Sequence, residues 1–168
     1  MKIINLILIL ISTIIYAQKD SSKLANIDAP YYNINETGLA LNGFDPTEYF
    51  INNRATQGSE KHQYQHQGVI YYFVNEKNKS LFIESPEKYM PEFGGYCAYG
   101  LGMEFGHGLN ENPPGKYPVN PETFKIINDK LYLFYNNRGY NFLEVWKPNE
   151  IDNLKRANER WEVINEKN

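Results

Sequence analysis

One cysteine, Cys97, stands in 168 residues, so no disulfide can close within the chain. Basic blocks are missing as well: 17 Lys and Arg are spread among 20 Asp and Glu, for a net charge of −3. Without a basic patch the chain carries no electrostatic footprint for nucleic acid. No apolar run reaches the roughly 20 residues that a membrane-spanning helix needs. Gly94-Gly95 lacks the following Lys-Ser or Lys-Thr pair of a phosphate loop. No segment repeats. Stability must therefore come from packing alone, which is feasible at this length.

The chain opens with signal-peptide anatomy. Lys2 gives a minimal positive start, residues 3–15 are almost wholly apolar, and Tyr16-Ala17-Gln18 offers a cleavage point after Ala17. Ile15 is bulkier than the residue usual two positions before such a point. No cysteine lies beside it, so a lipidated bacterial anchor is not expected. The reading expects residues 1–17 to be removed, leaving a periplasmic or secreted chain with no membrane attachment. A polar arm over 18–36 and one domain over 37–168 follow. Export sharpens the question of Cys97, because an oxidising compartment normally pairs its cysteines or loses them. A lone thiol there is buried and inert, paired with another chain, or used as a ligand or nucleophile.

The periodicities predict an α+β domain: a small antiparallel sheet, short flanking helices and a C-terminal amphipathic helix. Asp45-Pro46-Thr47-Glu48 is a helix start, with Asp45 as cap, Pro46 at the first position and Glu48 as the capping-box partner. The alternating segment 62–66 and the β-branched, aromatic run 69–74 predict a hairpin turning at Gln67-Gly68. Asn75 can cap a helix over 76–84, and Ser85-Pro86-Glu87 starts another turn. Segments 124–127 and 130–135, joined by Asn128-Asp129, predict a second hairpin. Ile151, Leu154, Ala157, Trp161 and Ile164 place an apolar stripe on a final helix over 149–164.

These motifs, in this order, resemble the exported YHS-domain (seleno)protein family. Leu41-Asn42-Gly43-Phe44-Asp45-Pro46-Thr47-Glu48-Tyr49-Phe50 is similar to the family's GYDPVAYF opening. The strand ending Tyr71-Tyr72-Phe73, then Phe82 and Pro86-Glu87-Lys88-Tyr89, resembles the YHS core. Phe93-Gly94-Gly95-Tyr96-Cys97-Ala98-Tyr99 and Lys130-Leu131-Tyr132-Leu133-Phe134-Tyr135-Asn136 resemble two further segments. The likeness spans roughly residues 39–161. It implies a small α+β YHS-type fold and metal binding. In the metal-binding form one Cys follows the Tyr-Tyr-Phe strand and a second lies four residues on. Here Val74 and Asn78 stand in those places, which leaves Cys97 as the sole ligand of thiolate type.

Thiolate, thioether and imidazole are the donors that suit copper. The candidate ligands are accordingly Cys97 as anchor, His107 and Met103 as nearest partners, then His62 and His66, which share a strand face. The expected function is non-enzymatic holding or sensing of a copper-type ion, alone or with an unidentified exported protein. A thiol-dependent periplasmic oxidoreductase using Cys97 and an interaction domain without chemistry stand as alternatives. Thiol chemistry needs a lowered pKa, and the nearest basic residues in sequence are Lys88 and Lys116. Against a ligand role stands the common fate of a free Cys, which is burial. Tyr71, Tyr72, Phe73, Tyr96 and Tyr99 can line a pocket, but core packing is the commoner use of such a density. Asp45 and Glu48 read as caps, not as an acid–base pair.

Overall fold

The computed structural model describes residues 31–104 and 117–166. The expected signal segment, the first part of the arm and His107 lie outside the described residues. The rest is α+β: antiparallel hairpins, short helices and a long C-terminal helix.

A short helix α1 (Glu48–Ile51) precedes strands β1 (Ser59–His66) and β2 (Val69–Phe73), which pair antiparallel. Their turn takes left-handed backbone at Gln67 (φ 48°) and Gly68 (φ 83°), the two-residue geometry that matches strand twist. Along β2, Val69, Tyr71 and Phe73 are buried, while His62, Tyr64 and His66 form the half-buried face of β1. Helix α2 (Glu76–Glu84) is capped by Asn75, whose side chain accepts from the Asn78 N–H. It buries Asn78 and Phe82. Helix α3 (Pro86–Tyr89) follows, and helix α4 (Ala98–Gly102) lies beyond a glycine turn.

Strands β3 (Asn120–Ile127) and β4 (Lys130–Phe134) form the second hairpin, turning at Asn128 (φ 50°) and Asp129 (φ 58°). β4 divides the molecule. Leu131 and Leu133 enter a cluster with Tyr49, Tyr71, Phe73, Phe82 and Tyr89. Tyr132 and Phe134 enter the other, with Phe93, Leu101, Trp146 and Ala157. Alternation over two cores explains why every residue from Leu131 to Phe134 is buried.

Among the described residues the hairpins do not merge into one sheet. Irregular segments cover their open edges instead: Leu39 bridges Ile70, while Pro91 and Cys97 bridge Leu131 and Leu133, all in parallel sense. Covering an edge in this way blocks pairing with other chains. The strap 31–34 belongs to the packed unit, not to a loose arm. The Asn33 N–H donates to the Gly94 carbonyl at 2.8 Å and its amide side chain to the Gly95 carbonyl at 2.9 Å.

Beyond the small strands β5 (Asn136–Asn137) and β6 (Tyr140–Asn141), helix α5 (Phe142–Trp146) leads through a 3-10 turn into α6 (Glu150–Glu166). The stripe on α6 differs from expectation, for Ile151 is 84% exposed and Asn153 is buried. At 3.6 residues per turn Ile151 lies about 120° round from Ala157, and Asn153 only about 40°. Where α6 crosses α4 the backbones are too close for a side chain: a Cβ on Gly102 would sit 2.5 Å from the Asn153 carbonyl. Arg156 and Arg160 donate to the carbonyls of Gly102, Leu101 and Met103, satisfying the end of α4.

Candidate functional site

Cys97 is placed by the turn before it. Phe93 (φ 57°), Gly94 (φ 60°) and Gly95 (φ 84°) reverse the chain. It then runs beside β4 and enters α4, of which Cys97 is the N-terminal flanking residue. The residue is fully buried. Its N–H donates to the Tyr117 carbonyl at 3.4 Å. Its Sγ accepts the Tyr135 N–H at 3.3 Å. Burial pushes the thiol up from its ordinary value, and the amides of Tyr135, Gly100 and Tyr99 pull it down less strongly. This donor arrangement depends on the helix start and on β4, and neither was evident from residues 94–100 taken alone.

The other candidate ligands lie in separate settings. Met103 is half-buried at the C-terminal flank of α4, with its N–H on the Tyr99 carbonyl at 2.9 Å. His107 lies outside the described residues. His62 and His66 do share a face, as expected, but that face turns toward α2. His62 Nδ1 meets Glu76 Oε1 at 2.8 Å. Hydrogen bonds from His62 and then Lys79 hold the Glu76 carboxyl below its ordinary value. His66 stacks on Tyr64 with ring centres 6.5 Å apart and meets the Phe82 ring edge-on at 6.0 Å. Its buried Nε2 has no hydrogen-bond partner among the described residues, and Glu87 Oε1 stands 4.0 Å away. Among the described residues no three or more His, Cys, Asp or Glu side chains gather where they could hold a metal ion.

A buried polar network was missed by the sequence reading. Asp45, Glu48 and Asn78 are at most 6% exposed. Asp45 Oδ1 accepts from the Thr47 N–H and hydroxyl at 2.8 and 2.7 Å, which starts α1. Glu48 forms no capping box: the Asp45 N–H goes to the Thr56 carbonyl, and Glu48 turns toward Asn52, Thr56 and Asn78. The Asn78 amide nitrogen donates to Asp45 Oδ2 at 2.8 Å and to Glu48 Oε1 at 2.9 Å. The Val74 N–H also donates to Asp45 Oδ2, at 2.8 Å. Val74 and Asn78 thus tie α1 to the start of α2. An Asn within the first turn of a helix that already has an Asn cap was the one signal available for this role.

The aromatic residues divide between roles. Tyr71 and Phe73 pack in the core as expected, and Tyr71 also lines a cleft of about 250 Å³ between the strap and the glycine turn. Tyr96 donates its hydroxyl to the Tyr32 carbonyl at 2.9 Å, and Tyr99 packs edge-on against Phe142. Compared with family models, with curated proteins and with solved structures, the chain matches none.

Proposed function

We propose that the chain is an exported YHS-type binding protein that holds a copper-type ion on Cys97 and turns over no substrate. The setting of the sulfur carries this reading. Cys97 is fully buried, and its raised thiol pKa traces to desolvation with no charged side chain among the causes. A free thiolate there has backbone amides but no cation to offset its desolvation, which disfavours a reactive nucleophile. A monovalent copper ion on the same thiolate makes a neutral pair and supplies the missing charge. Soft thiolate and thioether donors suit that ion, and Met103 follows at the other end of α4, on the way to His107. His62 and His66 are the weaker partners, since their described contacts are with β1, α2 and Glu87.

Titration of the anaerobically reduced protein with Cu(I) against a competing chromophoric chelator tests the reading. One-to-one competition is expected, lost in Cys97→Ser and weakened in Met103→Leu. Competition that survives Cys97→Ser would move the site elsewhere. No competition, together with fast alkylation of native Cys97 near neutral pH, would favour the thiol oxidoreductase instead.

A further inference from the structure

A concave site lies apart from Cys97. The strap residues Tyr31, Tyr32 and Asn33 and the segment Met90 to Gly95 both line the 250 Å³ cleft. Tyr71, Leu133 and Trp161 are among its other lining residues. The volume falls just short of the roughly 300–1,000 Å³ typical of drug-sized sites, so an occupant would be a small molecule.

Strained backbone gathers around this cleft. Leu41 (φ 56°), Asn42 (φ 51°) and Phe93 (φ 57°) all line it with left-handed backbone. Leu41 and Phe93 are buried, at 4% and 2% exposure. The other non-glycine residues with such backbone sit elsewhere: Gln67, Asn128, Asp129 and Arg138 at hairpin turns, and Asn53 just past α1. A branched or aromatic side chain in left-handed backbone is disfavoured and persists only where its surroundings impose it, as ligand clamps do.

The chemistry of the lining selects a class of occupant. Among the described residues its charged lining is Glu87 and Glu92, both acidic, with no Lys, Arg or His. Lys130 Nζ reaches Glu92 Oε2 at 3.1 Å and His66 Nε2 stands 4.0 Å from Glu87, but both approach from outside the lining. Five aromatic rings (Tyr31, Tyr32, Tyr71, Phe93 and Trp161) contribute to the walls. A lining rich in aromatic residues with two carboxylates suits an organic cation, through the ring quadrupole and through direct charge.

We propose that this cleft binds a small organic cation of the alkylammonium class, held by the aromatic walls and by Glu87 and Glu92. The site does not include Cys97, so it stands or falls apart from the copper reading.

Choline and its neutral isostere 3,3-dimethylbutan-1-ol are the probes, followed through the Trp161 indole N–H resonance of the full chain. Saturable shifts with choline are expected in the millimolar range or tighter. The neutral isostere should bind at least about tenfold more weakly, as expected when one charge interaction near a protein surface is lost. The double variant Glu87→Gln/Glu92→Gln keeps side-chain size and should weaken choline by about tenfold or more with the rest of the amide spectrum unchanged. Equal binding of the two probes, choline binding untouched by the double variant, or no shift at Trp161 would each overturn the proposal.

Discussion

Asn78 uses both hydrogens of its amide nitrogen on two buried carboxylates. Burial works to raise the Glu48 carboxyl, but hydrogen bonds from Asn52, Asn78 and Thr56, with Arg54 nearby, hold it below its ordinary value of 4.5. Asn78→Leu keeps the volume and removes the shared donor. Unfolding in urea at pH 7 should show a loss of about 2–4 kcal/mol, the range for stranding buried charged acceptors. The loss should shrink as pH falls below 4.5 and through the lowered folded value of Glu48, and adding Glu48→Gln should recover part of it. Undiminished stability would mean that Asp45 and Glu48 are satisfied without Asn78. Little of this network was legible in the sequence. Asp45 and Glu48 are three apart beside a proline, and local capping accounts for such a pair well enough. What turns Glu48 away from a cap is Asn78, thirty residues downstream, and a one-dimensional reading has no distance of that kind. Cys97 is the opposite case: as the lone thiol it stood out in the sequence, while its burial against β4 needed the fold.

The elements themselves were largely readable because their signals are local. Gln67-Gly68 and Asn128-Asp129 each lie between two strand-like segments, and both turns fall there. Asn75 caps its helix as expected. The strap was not legible. The arm around it is polar, yet the strap docks through the Asn33 N–H and amide on the glycine turn and through the Tyr96 hydroxyl on its Tyr32 carbonyl, and composition does not report that. Gly94 is the key to its docking. Its backbone is left-handed at φ 60°, and an added Cβ would lie 1.7 Å from the Tyr31 carbonyl oxygen. Gly94→Ala should cost about 2–3 kcal/mol and abolish hydrogen-exchange protection of the Asn33 amide. Gly139 makes the control, since at φ 83° a Cβ there meets nothing within 4 Å. Gly139→Ala should cost only the conformational penalty of about 1–2 kcal/mol and leave Asn33 protected. Equal effects of the two substitutions would show that the strap does not depend on close approach.

For the molecule as a whole, buried ionisable groups bound the pH range of stability. The folded thiol of Cys97 is raised above 9.0, so its contribution is complete below pH 9 and is lost as pH rises toward the folded value. Tyr96 and Tyr132 are pushed up to about 12 from 10.0, Tyr96 by burial and Tyr132 by burial with Glu92. They deepen the loss between pH 10 and 12. On the acid side the contribution of Glu48 is present above pH 4.5 and disappears below it. The urea midpoint should therefore be flat from about pH 5 to 9 and fall on either side, with Cys97→Ala removing the first part of the alkaline decline. A wild-type midpoint unchanged at pH 10 would contradict a buried thiol. The strap has one further consequence, in time. Gly94 is made 63 residues after Tyr31, so a ribosome working at about 5–20 residues per second delivers it roughly 3–13 s later. β-Hairpins close in about 1–10 μs. The first segment of this unit to be synthesised is thus among the last to find its place, and it waits beside a finished β1–β2 hairpin for the glycines that will hold it.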